Sequence, residues 1–146
     1  MNDVEPSLHV LLVEDDPGDV LITKEAIRAG KLVSTLHVVN DGEQALEFLH
    51  QEHGYADAPR PDLILLDLNL PKIDGHGVLS RVKSDPDLRR IPVVVLSTSN
   101  AAEDVLRSYD LYANAYVSKP VDFESFVDAV HQIDEFFAKT VALPPN

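Results

Sequence analysis

Apolar residues recur along this chain in two ways, as short unbroken runs and as longer stretches with a helical period. Leu8-His9-Val10-Leu11-Leu12-Val13, Leu63-Ile64-Leu65-Leu66 and Val93-Val94-Val95-Leu96 are the runs, and each ends abruptly in polar residues. Continuous apolar runs of this length suit central strands covered on both faces. They predict a first strand over 8–13, a third ending at Asp67 and a fourth over 93–99, closed by Ser97-Thr98-Ser99. Residues 34–39 mix Leu36, Val38 and Val39 with His37, the pattern of a less buried strand, and 114–118 forms a short fifth.

Helical periods fill the intervals. After Asp16, a candidate N-cap, Pro17 takes the first helical position, where its missing donor is harmless. Val20, Thr23 and Ile27 then share one face, and that helix ends near Gly30. Asp41 and Gly42 open a second helix carrying Ala45, Phe48 and Leu49, and Gln51 to Pro61 reads as a polar loop. Val78, Leu79 and Val82 mark a third helix from Gly75 to Ser84, closed by Asp85-Pro86. A weaker fourth places Ala102, Val105, Leu106 and Tyr109 at i, i+3, i+4 and i+7. The clearest period belongs to 122–138, whose stripe of Phe123, Phe126, Val127, Val130, Ile133 and Phe137 is expected to be core.

Strands that alternate with helices predict a parallel sheet with helices on both faces. The three continuously apolar strands belong in the middle, the second and fifth at the edges. Right-handed crossovers then give the order 2-1-3-4-5, with the switch point between strands one and three. A chain of 146 residues makes one domain, 8–138, between tails at 1–7 and 139–146.

Composition narrows the chemistry. There is no cysteine, which removes disulfides, thiolates and zinc-cysteine sites. A net charge of −13 disfavours a nucleic-acid partner and favours cations and basic partners. Neither a signal core nor a membrane-length apolar run is present, so a cytoplasmic location and no membrane association are expected.

The predicted topology brings Glu14 and Asp15, at the end of strand one, opposite Asp67 at the end of strand three. Alone, an Asp at a strand end is most often a turn residue. Convergence alters that reading, since two carboxylates about 4 Å apart repel by about 4 kcal/mol at an effective dielectric near 20. A cation relieves the repulsion. All-oxygen donors select a hard divalent ion, and a shallow, hydrated site suits Mg²⁺ better than Ca²⁺. Asp15 and Asp67 are the expected direct ligands, Glu14 acts partly through water, and a backbone carbonyl just past Asp67 completes the set. Ser97 and Lys119 enter the same crevice as hydroxyl and countercharge. Together these groups make a site for a phosphoryl group, with Asp67 the reactive residue.

Val13-Glu14-Asp15-Asp16, Leu65-Leu66-Asp67-Leu68-Asn69-Leu70-Pro71 with Asp74-Gly75, Leu96-Ser97-Thr98 and Tyr116-Val117-Ser118-Lys119-Pro120 resemble the receiver domain of two-component response regulators. The resemblance spans roughly residues 8 to 138, and it is the joint spacing that is specific. It implies a flavodoxin-like fold in which Asp67 takes a phosphoryl group from the phosphohistidine of a sensor histidine kinase. Mg²⁺ would be held by Glu14, Asp15, Asp67 and the Asn69 carbonyl. Lys119 would bind one phosphoryl oxygen and Ser97 would swing toward another, while Tyr116 turns inward and Lys119-Pro120 is cis. Glu14 and Ser97 stand where Asp and Thr are commoner in the family, and both are tolerable changes. Such a protein is a phosphoacceptor rather than an enzyme, beyond self-catalysed phosphotransfer and slow autodephosphorylation.

No output domain follows residue 138, so the signal is expected to pass by contact. Tyr109, Leu111, Tyr112 and Tyr116 gather near helix four and strand five, either as core and loop aromatics or as a contact surface. The polar 51–61 loop, the acidic run from Glu14 to Asp19 and the missing output domain resemble single-domain regulators paired with bacterial phytochrome kinases. That likeness implies a homodimer through the helix four to helix five face. Two other classes stay open. A haloacid-dehalogenase-type phosphohydrolase also uses an Asp nucleophile but wants a second Asp at the position held by Asn69, and a phosphorylation-independent binding module would keep only the scaffold. His50 and His53 read as a solvated pair, and His9, His37, His76 and His131 as scattered.

Overall fold

The computed structural model describes residues 8–29, 34–98 and 102–132. Five parallel strands, β1 (Leu8–Val13), β2 (Ser34–Val39), β3 (Leu63–Asp67), β4 (Val93–Ser97) and β5 (Ala115–Ser118), form one sheet in the order β2-β1-β3-β4-β5. Five helices connect and flank them: α1 (Pro17–Ala29), α2 (Gly42–His50), α3 (Gly75–Ser84), α4 (Ala102–Asp110) and α5 (Phe123–Gln132). Every residue of β3 and β4 is buried, whereas β2 is mostly half-exposed. Continuous and broken apolar runs thus separated centre from edge correctly.

Because side chains alternate across a strand, β1, β3 and β4 feed two cores. Leu11, Val13, Ile64, Leu66, Val93 and Val95 pack with Phe48 and Leu49 of α2 and Val78, Leu79 and Val82 of α3. Val10, Leu12, Leu63, Leu65, Val94 and Leu96 pack with Ala26 and Ile27 of α1 and Phe126 and Ala129 of α5.

Three aspartates start helices by taking backbone N–H groups that have no partner inside the helix. Asp16 Oδ1 accepts from Gly18 N at 2.8 Å, Asp41 Oδ1 from Gln44 N at 2.7 Å and Asp74 Oδ1 from Gly77 N at 2.8 Å.

Several local expectations change. The 51–61 loop contains a 3₁₀ turn, His53–Tyr55, whose Tyr55 ring meets Phe48 at 5.5 Å between centroids. Strand β5 begins at Ala115 because the Asn114 side chain turns back to accept from Val93 N, 2.8 Å. The expected stripe of α4 faces solvent at Leu106, 63% exposed, and Tyr109, while buried Ser108 faces inward. Phe123 is likewise 44% exposed, so within the Phe stripe of α5 it is Phe126 that joins the core. Gly30, Ser99, Ile133, Phe137 and both tails lie outside the described residues. Among the described residues no helix is long and apolar enough to cross a membrane.

Candidate phosphoryl and metal site

β1 and β3 are neighbours that diverge to opposite connections, and their carboxyl ends open the crevice where doubly wound sheets bind ligands. Glu14 follows β1 directly. Its N–H is fixed to Val39 O at 3.0 Å, and its carbonyl accepts from Asn40 Nδ2 at 3.2 Å. Asp67 is the last residue of β3, in register with Leu96 of β4. Each of Glu14, Asp15 and Asp67 offers one carboxylate oxygen within 4.8 Å of the others. Glu14 is fully buried, Asp67 nearly so and Asp15 exposed, so the cluster opens to solvent at Asp15.

Lys119, just past β5, points its ammonium into this cluster. Nζ lies 2.5 Å from Glu14 Oε1, 2.9 Å from Asp19 Oδ2 and 3.3 Å from Asp67 Oδ2, with only 7% of the side chain exposed. The Lys119-Pro120 peptide bond is cis, and Lys119 N donates to Ser97 O at 2.8 Å, which ties the lysine's backbone to the end of β4. Burial, partly offset by the Lys119 hydrogen bond and reinforced by the Asp67 charge, pushes the Glu14 carboxyl up to about 7. Lys119 is also raised, but against the effect of burial. Burial alone would depress it, but hydrogen bonds to Glu14 and Asp19 and the charge of Asp67 hold it above the usual lysine range.

Charge decides what this arrangement takes. Three oxygen donors, one of them pushed toward its neutral form by burial and a like charge, fit a hard divalent cation. Ser97, at the end of β4, borders an adjoining cleft of about 390 Å³ that Asn69, Asp74, His76 and Asp104 also line. Asn69 is exposed, and its backbone N–H donates to Asp67 Oδ1 at 3.2 Å. Tyr116 is half-buried on β5 against the α2/α3 core.

The loop after Asp67 is held from below. A Cβ at Gly75 would come within 2.4 Å of Asp67 O and 2.5 Å of Leu68 Cα, so only glycine lets α3 start this close to the end of β3. A Cβ at Gly42 would meet Ile73 O at 2.1 Å. Lys72, in the left-handed region at φ 67, reaches Asp41 at 3.6 Å and Glu43 at 3.5 Å. Two helix starts therefore grip one loop.

Glu14, Asp15, Asp67 and Lys119 meet in this crevice, Ser97 and Asn69 line the adjoining cleft and Tyr116 packs against the core instead, but three relationships escaped the pattern of the sequence. Asp19 joins the lysine, although it reads as one more acid in the first turn of a helix. His76 is buried and its Nε2 lies 3.3 Å from Ser108 Oγ, which links α3 to α4. Ser108 gives its single proton to Asp104 O at 3.0 Å, so His76 Nε2 is the donor in that bond. His9 and His37 are not scattered, since Nδ1 and Nε2 lie 3.1 Å apart, and burial first and His9 second hold His37 below the usual histidine range. The His50 and His53 rings do face solvent, but each finds its own carboxylate, Asp85 at 3.1 Å and Glu47 at 3.6 Å.

A five-stranded doubly wound sheet with three carboxylates and one buried lysine at its switch point defines an α/β phosphoryl-site protein. The chain belongs to the response regulator receiver domain family, whose model matches residues 10–131. It is 44% identical over 139 residues to "Response regulator Rcp1" of Synechocystis sp. (strain ATCC 27184 / PCC 6803 / Kazusa), covering 95% of each chain. The crystal structure of the Mn(2+)-bound form of Rcp1 aligns at TM-score 0.76 and 43% identity, over 94% of this chain and 99% of that one. The phosphorylated cyanobacterial phytochrome response regulator RcpA aligns at TM-score 0.77 and 46% identity, over 95% and 99%. This protein is a response regulator receiver of the two-component kind, a class that holds a divalent cation at an acidic pocket and is addressed by histidine kinases.

Proposed function

We propose that Asp67 is the phosphoacceptor, that Glu14, Asp15, Asp67 and the Asn69 carbonyl hold Mg²⁺, and that a sensor histidine kinase of the bacterial phytochrome type supplies the phosphoryl group. The observation that carries this reading is the Lys119 ammonium 3.3 Å from Asp67 Oδ2, inside the cluster of three carboxylates. An Asp67 oxygen attacks phosphorus. The new O–P bond forms as the P–N bond to the kinase imidazole breaks, and the electron pair stays on that nitrogen, which takes a proton. Lys119 binds a phosphoryl oxygen, and a divalent cation held by these residues would supply charge neutralisation to the transferring oxygens.

The acyl phosphate brings new acceptor oxygens. Ser97 turns toward one of them and Tyr116 moves inward, shifting the population of the loops after β3 and β4. Slow hydrolysis resets the site, with Asn69 unable to act as the acid/base that a phosphohydrolase needs. The receiver unit is 8–138 with tails on either side, and the protein works in the cytoplasm without a nucleic-acid or membrane partner. Exposed Leu21 and Ile22 of α1 and Phe123 of α5 line a groove of about 490 Å³ that suits an apolar kinase helix. Exposed Leu106, Tyr109 and Tyr112 support a homodimer through the α4 to α5 face.

Intact mass after incubation with Mg²⁺ and acetyl phosphate tests the central step. A single hydroxylamine-labile phosphoryl adduct is expected on wild type and not on Asp67→Asn. No adduct from the small donor, and none from candidate histidine kinases, sinks the mechanism and leaves a binding scaffold.

A further inference from the structure

Lys119 has three ammonium protons and three carboxylates around it, each on a different element. Glu14 comes from the end of β1, Asp67 from the end of β3 and Asp19 from the first turn of α1. Their roles are not equivalent. Glu14 and Asp67 belong to the cluster whose oxygens lie within 4.8 Å of one another around Asp15, and Asp19 lies outside that cluster. A dication in the cluster draws Glu14 and Asp67 toward itself and repels the ammonium, and the repulsion is strong where the lysine is only 7% exposed. Of the three carboxylates around Lys119, Asp19, at 2.9 Å, is the one that such an ion would leave alone.

The local fold keeps Asp19 in place for this. Asp16 Oδ1 accepts from both Gly18 N at 2.8 Å and Asp19 N at 3.4 Å, which fixes the first turn of α1 at the mouth of the crevice. The Asp19 side chain is 29% exposed, so it stands at the rim, with the lysine between it and Asp67.

We infer that Asp19 is a positioning residue for phosphoryl transfer: it anchors the Lys119 ammonium in the crevice once the metal has claimed Glu14 and Asp67. The inference rests on Asp67 being the phosphoacceptor. Without Asp19 the lysine is free to swing to solvent when metal binds, and the incoming phosphoryl oxygens meet no ammonium.

The test compares wild type, Asp19→Asn, Asp19→Glu and Glu25→Gln. Glu25 is exposed on α1 and paired with Arg28, so its variant removes the same charge from the same helix without touching the site. Loading from acetyl phosphate is followed at saturating Mg²⁺, with Mn²⁺ affinity measured separately. Asp19→Asn is expected to slow loading at saturating metal by about tenfold, the worth of one charge-assisted hydrogen bond. Asp19→Glu recovers most of the rate, and Glu25→Gln matches wild type. Equal saturated rates for Asp19→Asn and wild type overturn the inference, as does a deficit that higher metal erases, since that is a charge effect on metal affinity alone. Failure of wild type to form any Asp67-dependent adduct would instead sink the phosphoacceptor reading on which it stands.

Discussion

Lys119 Nζ lies 2.5 Å from Glu14 Oε1, and the glutamate in that pair has no exposed surface. Yet the carboxyl is pushed up to about 7, because burial outweighs the lysine and Asp67 adds a like charge. Between about pH 4.5 and 7 the folded protein therefore holds a proton on Glu14 that the unfolded chain has released. Stability from that proton is full below pH 4.5 and is lost as pH rises through 7, a change of about 3 kcal/mol. A divalent ion competes for the same oxygen, so its affinity rises with pH up to about 7. Urea unfolding at pH 5 and pH 8, with and without Mg²⁺, should show little stabilisation by the ion at pH 5 and a large one at pH 8. Glu14→Gln, fixed in the neutral form, should show a much smaller pH dependence. A metal effect of the same size at both pH values would contradict this account.

Gly75→Ala and Gly42→Ala each force a methyl against backbone, at Asp67 O and Ile73 O respectively. Neither neighbour is the end of a flexible side chain that could yield. Each substitution should cost about 1–3 kcal/mol in urea unfolding and lower metal affinity by displacing the loop after Asp67. Gly18→Ala, whose nearest contact is the Asp16 carboxylate at 3.2 Å, is the comparison and should stay within about 1 kcal/mol.

Phe123, which lines the groove between α1 and α5, follows the Lys119 end of β5 by four residues, so a kinase helix seated there would have a route to the crevice. Leu21→Asp or Ile22→Asp should cut phosphotransfer from a cognate histidine kinase by about tenfold or more. Loading by acetyl phosphate, which needs no docking, should be unchanged. Parallel loss in both assays would place these residues in the site rather than on a docking surface.

On the α4 side, Leu106 is 63% and Tyr112 75% exposed, and Tyr109 lies between them in sequence. On the proposed reading, a second copy covers this exposed apolar face. Sedimentation velocity should show wild type associating and Leu106→Arg with Tyr112→Ser monomeric, with phosphorylation by acetyl phosphate retained in both. A monomeric wild type at every concentration and phosphorylation state would remove this interface.

The carboxylate and lysine crevice was legible because its parts lie at strand ends. An unbroken apolar run that stops at a carboxylate says where the strand terminates, and the alternation of strands and helices says which ends are neighbours. Glu14, Asp15, Asp67, Ser97 and Lys119 could thus be placed at the carboxyl end of the sheet from spacing alone. Helix faces were less legible. On α4 the periodic residues Leu106 and Tyr109 look like a core stripe, but α4 packs inward through Ser108 and leaves that stripe to solvent. Periodicity reports that a face is apolar, not what covers it.

Local sequence determined the strands, their order and the carboxylates at the switch point, since burial pattern, capping aspartates and right-handed crossovers depend on residues near one another in the chain. Only the tertiary structure decided what depends on distance in three dimensions. Asp19 and Lys119 are separated by 100 positions and meet at 2.9 Å. His76 and Ser108 are 32 apart, and both are buried between α3 and α4. The upward shift of Glu14 arises because three elements close around one carboxylate and exclude water, an environment that no stretch of sequence contains by itself.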